Sequence, residues 1–96
     1  MNKVKLSLNA QEDLKKIEKY YYLISEKIRD KFILNLSKTY KTLSLNPHFF
    51  IRYKNFRTIT LSKFPYLLFF EIDEQNLIVN IFTCFHTSQN PSKYPI

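Results

Sequence analysis

Arg52, Lys54, Arg57 and Lys63 fall close together in the chain, interleaved with Phe50, Tyr53 and Phe56. Guanidinium and ammonium groups hold phosphate oxygens, and aromatic rings offer bases a face to stack on, so the mixture suits a nucleic-acid strand. A solvated loop whose aromatic rings tuck into a core has the same composition, and both readings stand. His86 is a second candidate, since an imidazole can act as an acid or a phosphate ligand near neutral pH. Its alternative is a histidine that steadies a turn. Tyr94 offers a further ring late in the chain, while His48 and Cys84 read as structural.

Other chemistries drop out. A single cysteine allows no intrachain disulfide and no cysteine-rich zinc site, and two histidines far apart suggest no metal. No glycine occurs anywhere, which removes the Gly-rich phosphate loop. No cofactor is expected. Any position that needs a positive φ must be filled by Asn, Asp or a strained residue. Fifteen Lys and Arg against eight Asp and Glu give a net charge of +7, which points to an anionic partner. Nucleic acid, an acidic protein segment and a membrane surface all qualify, and a genome-wide bias toward Lys, Asn and Ile is the bland account. Lys3 and Lys5 interrupt the apolar alternation at the start, unlike a secretory leader. The densest apolar stretch, Tyr66 to Ile72, is too short for a bilayer. The expectation is a cytoplasmic protein with no membrane association.

These side chains need elements to position them. Ninety-six residues, 45% hydrophobic and 17% aromatic, make one domain over residues 1–96. Val4, Leu6 and Leu8 alternate with polar residues as a short strand. Asn9 and Glu12 have the spacing of a capping arrangement, and Leu14, Ile17, Tyr21 and Ile24 recur at helical spacing. A first helix is predicted from about Ala10 to Leu23. Ser25 would cap a second helix with Glu26 in its first turn, carrying the stripe Ile28, Phe32, Leu36, Tyr40 and Leu43. That helix ends near Leu45, before Asn46-Pro47. Three strands follow: Phe56 to Leu61, Tyr66 to Asp73 and Leu77 to His86, the last two joined by the polar turn Asp73 to Asn76. The order predicts an α+β domain with an αα-hairpin packed on a twisted antiparallel four-stranded sheet. Leu67 to Phe70 are apolar at both parities, so the second face of the sheet should be covered too, by the tail or by a partner.

Several of these residues together resemble the RelE/ParE toxin superfamily. Asn9-Ala10, Glu12-Asp13-Leu14, Ile17, Tyr20-Tyr21 and Ile24-Ser25 are similar to its first helix. Lys31-Phe32, Leu43 and Asn46-Pro47 are similar to the second helix and its stop. Arg57, Phe64-Pro65-Tyr66, the Phe70 to Asp73 strand end, His86 and Asn90-Pro91 extend the likeness over almost the whole chain.

The resemblance implies the βααβββ order of that fold and a toxin silenced by a cognate antitoxin protein. RelE-like members cut messenger RNA on the ribosome, whereas ParE-like members inhibit DNA gyrase without nuclease activity, and one fold serves both. Under the nuclease reading, a metal-independent endoribonuclease needs a base, an acid and cations around the phosphate. Arg57 and Lys54 would clamp the phosphate and His86 would move a proton, making these three the catalytic candidates. Arg52, Lys63 and Tyr94 would bind RNA. The pattern departs in one respect: no acid lies between positions 47 and 57 to act as the general base that some nuclease members carry. Arg57 also has a structural alternative, as the ion-pair partner of Glu71 or Asp73. Messenger cleavage is the first reading and gyrase inhibition the alternative.

Overall fold

The computed structural model describes residues 1–48, 51–53 and 56–88, the side chains of 51–53 excepted. Its elements are β1 (Lys3–Leu6), α1 (Leu8–Ile24), α2 (Glu26–Leu45), β2 (Ile51–Tyr53), β3 (Phe56–Thr60), β4 (Tyr66–Asp73) and β5 (Ile78–His86). They build one sheet in the order β1-β5-β4-β3-β2, with the two helices against it.

The predicted order is present, with one strand more than predicted. The sheet is mixed rather than wholly antiparallel: β2 to β5 pair antiparallel, but β1 runs parallel to β5. β1 and β5 are not joined by a hairpin: the chain between them passes through both helices, and a long crossover of this kind is what lets two strands run parallel. Nothing in the periodicity of a segment as short as β2 announces a strand there.

α1 begins earlier than predicted because Ser7, not Asn9, is its cap. The Ser7 hydroxyl accepts from the Ala10 N–H at 3.1 Å while donating to the Phe82 carbonyl at 2.7 Å. Leu8 therefore belongs to the helix and is 77% exposed. At the other junction Ser25 caps α2 without a side-chain bond, its carbonyl accepting from Arg29 N–H, and Glu26 occupies the first turn as predicted. Asn46 ends α2 in extended backbone, ahead of Pro47.

The stripe on α2 holds: Phe32, Leu36 and Leu43 are buried, and they meet Ala10 and Leu14 from α1, Leu68 and Phe70 from β4, and Val79 and Ile81 from β5. On the other face Leu67 and Phe69 are also buried, Phe69 with its ring 6.0 Å from that of Phe85. Both faces of β4 are thus closed to water, as its continuous apolar run implied. The tail beyond Ser88, one of the two covers considered, lies outside the described residues. Among the described residues no helix is long and apolar enough to cross a membrane.

β5 is kinked where it meets α1. Phe69 faces Thr83 but Phe70 faces Ile81, so Phe82 is an extra residue on β5. A bulge frees ladder groups that must find other partners. Here α1 supplies them: Ser7 and Asn9 (3.4 Å) donate to the Phe82 carbonyl, and Asp13 Oδ2 accepts from the Thr83 hydroxyl at 2.6 Å and the Cys84 N–H at 3.3 Å.

Candidate functional site

Arg57 lies in β3 opposite Phe70 and, on its other side, opposite Ile51. Residues opposite one another share a sheet face, so the half-buried Arg57 lies on the face of Ile59, Phe70 and the helices. Phe70, not Glu71 or Asp73, is therefore its cross-strand neighbour. Alternation sends Glu71 to the other face. Asp73 accepts from the Asn76 N–H at 3.1 Å and the Asn76 amide at 2.9 Å, which holds its carboxyl below the usual range. Arg57 has an interaction of its own and is not a spare cation.

His86 ends β5 opposite Tyr66. The two rings meet edge to face, with centroids 5.2 Å apart. The Ser88 N–H donates to His86 Nδ1 at 3.1 Å, and the Ser88 hydroxyl lies 2.6 Å from the same nitrogen. Accepting that N–H places the proton of the neutral ring on Nε2. Thr87 N–H, donating to the Pro65 carbonyl at 2.8 Å, ties this strand end to the β3–β4 connection. The turn-steadying account of His86 thus has direct contacts behind it. Ser88 and Tyr66 are the residues that a reading of His86 alone leaves out; the serine stands two positions on in the sequence, whereas the edge-to-face ring is visible only once the register is known.

Tyr66 belongs to an aromatic cluster with Tyr21, Phe32 and Phe64, their centroids 5.2 to 6.4 Å apart. Burial, then a hydrogen bond with Tyr21, raises the Tyr66 phenol well above its ordinary value. It stays protonated at neutral pH and cannot serve as a base.

The register sets the spacing between the two main candidates. Arg57 faces Phe70 and His86 faces Tyr66, four residues apart on the strand between them. Two interstrand steps and four residue rises put their Cα atoms roughly 16 Å apart. Alternation puts both on the same sheet face, and the figure is a backbone spacing that long side chains shorten. Lys63 stands exposed in the β3–β4 connection. Lys54 and Tyr94 lie outside the described residues, as does the side chain of Arg52. Cys84 is buried, its thiol pushed up to about 12 by burial and then by the Asp13 carboxylate. His48, on the surface, lies 2.6 Å from Glu74. Both fit the structural roles expected of them. Among the described residues no group of three or more His, Cys, Asp or Glu is arranged to hold a metal.

Three solved structures share this architecture. The chain is similar to a chromosomal ParDE toxin–antitoxin system from P. aeruginosa, at 22% identity and a TM-score of 0.72, over 90% of this chain and 96% of that one. The intact E. coli RelBE toxin–antitoxin complex matches at 13% identity and a TM-score of 0.65, over 94% and 100%. The isolated E. coli RelE toxin matches at 12% identity and a TM-score of 0.66, over 96% and 90%. At these identities the likeness establishes the fold. No curated protein matches the sequence. The family model described as the ParE toxin of the type II toxin–antitoxin system parDE matches residues 4–91. With that match running through every element of the fold, the chain belongs to the ParE toxin family, within the RelE/ParE superfamily, and is the toxin component of a type II toxin–antitoxin system.

Proposed function

We propose that this toxin acts by binding DNA gyrase rather than by cutting messenger RNA, and that a cognate antitoxin holds it silent. The carrying observation is that His86, the candidate proton carrier, is engaged by Tyr66 and Ser88 at the end of β5, with its Cα roughly 16 Å from that of Arg57. In-line cleavage needs its proton carrier and phosphate clamp around one reacting centre, within a few ångströms. The contacts of His86 with Tyr66 and Ser88 favour a turn role over proton transfer. Tyr66 is no base at neutral pH, and the sequence provides no acid between positions 47 and 57. A protein-binding toxin needs none of these groups. The family match and the likeness to a ParDE system support the same branch. Antitoxins present in the related structures support the antitoxin as partner.

Purified toxin, incubated with gyrase and supercoiled plasmid, should accumulate gyrase–DNA cleavage complexes. Primer extension on messenger from programmed ribosomes should show no codon-phased cuts. Phased cuts without cleavage complexes would transfer the activity to messenger cleavage on the ribosome, with Arg57, Lys54 and His86 as catalytic residues and Arg52, Lys63 and Tyr94 binding RNA.

A further inference from the structure

Lys31, Leu34, Asn35 and Lys38 stand at i, i+3, i+4 and i+7 on α2 and form one stripe of its surface. Lys63, from the β3–β4 connection, completes the wall of a cavity of about 300 Å³ lined by these five residues. Three lysines therefore line one cavity, with no acid in its lining. Among the described residues no carboxylate pairs with any of them; the ion pairs found there engage Arg29 and His48. Like charges so placed repel, and an anion between them would relieve the repulsion.

One lining residue is buried and tied to the β3–β4 connection. Asn35, 4% exposed, donates through Nδ2 to the Ser62 hydroxyl at 2.8 Å, which ties α2 to the residue beside Lys63. Asn35 Oδ1 is enclosed and has no hydrogen-bond partner among the described residues. The Asn35–Ser62 bond thus ties together the two elements that carry the three lysines.

From this geometry we infer that the cavity is a phosphate-binding site that docks the toxin on a nucleic-acid backbone. Lys31 and Lys38, two helical turns apart, span about 10.5 Å, the axial rise of about three phosphate-to-phosphate steps of one strand. Lys63 reaches in from the side, and the alkyl stems with Leu34 give a sugar edge an apolar surface. An ammonium point charge suits backbone contact that positions a strand without reading its sequence. The site is separate from the Arg57 and His86 positions and stands whichever target the toxin has.

The test is fluorescence anisotropy with a labelled 20-base-pair DNA duplex and a single-stranded RNA, each measured from 50 to 200 mM salt. The chain should bind one or both. Lys31→Gln, Lys38→Gln and Lys63→Gln together should weaken binding at least tenfold and flatten the log–log salt slope by two to three units, about one for each phosphate that is no longer neutralised. Inorganic pyrophosphate should compete with the unaltered chain and lose that effect in the triple variant. A control triple, Lys16→Gln, Lys19→Gln and Lys41→Gln, removes the same charge from other exposed positions. Equal weakening by both triples would overturn the site in favour of diffuse attraction. Absence of binding to either nucleic acid would overturn it outright, as would competition by polyglutamate in a chain that ignores both strands. A circular dichroism melt of each variant checks that the fold is retained, and three single substitutions replace any triple that fails to fold.

Discussion

Leu77 carries the strain that a chain without glycine must place somewhere. Its φ is 54°, in the left-handed region, where a side chain crowds the carbonyl oxygen. Asn76, the residue chemically suited to that region, is instead spent on the Asp73 carboxylate. The absence of glycine thus foretold strain or Asn at such a position, but not which residue bears it. Leu77 is 54% exposed, so replacing it removes little packing. Leu77→Gly should therefore raise stability by about 1 kcal/mol, relief of the left-handed cost outweighing the entropy of the more flexible unfolded chain. Urea denaturation measures this; a midpoint unchanged or lowered would show that the turn holds Leu77 for a packing reason. Cys84 makes the complementary point about reactivity. With its thiol pushed up to about 12, the group is almost wholly protonated at pH 8. Alkylation by iodoacetamide there should run about a thousandfold slower than for an ordinary exposed thiol, and reach the ordinary rate in denaturant. Rapid labelling of the folded chain would place Cys84 in an opening segment.

At the scale of elements, the joint between α1 and the bulged β5 matters most. Asp13 was visible in the sequence only as part of a helical signature; its structural work depends on a bulge that no local pattern reveals. The carboxylate accepts from the Thr83 hydroxyl and the Cys84 N–H, and Thr83 is 4% exposed. Removing the acceptor leaves two donors short of partners in a largely dry place. Asp13→Ala should cost about 2–3 kcal/mol, while Asp13→Asn, which keeps an accepting oxygen, should cost less than half of that. Equilibrium unfolding of the two variants decides it: equal losses would mean that charge, rather than the accepting atom, holds the joint. The stripes of α2 and β4 were legible because burial writes itself into periodicity. The spacing of Arg57 from His86 was not, because it depends on which strands are neighbours and in what register, and side-chain type carries neither.

For the whole molecule, the first strand is what closes the sheet. β1 pairs with β5 in the register Lys3 with Ile78 through Leu6 with Ile81, joining the start of the chain to its last strand. Its flank also locks the end of α2: Asn2 N–H donates to the Ser44 carbonyl at 2.8 Å, and the Ser44 hydroxyl donates to the Asn2 carbonyl at 2.7 Å. Without residues 1–6, β5 becomes an open edge with Val79 and Ile81, both now fully buried, at its border. The Ser7 N–H that donates to the Ile81 carbonyl would lose its approach as well. A domain of this size has only about 5–15 kcal/mol in hand, so losing four ladder positions and part of the core wall should abolish cooperative folding. A chain lacking residues 1–6 should melt without a sigmoidal transition by circular dichroism and bind a hydrophobic dye already at 25 °C. A cooperative melt within a few degrees of the full chain would instead mean that the αα-hairpin and the antiparallel β2–β5 sheet form a self-sufficient unit. In that case the parallel strand is an appendage and not the clasp its pairing implies.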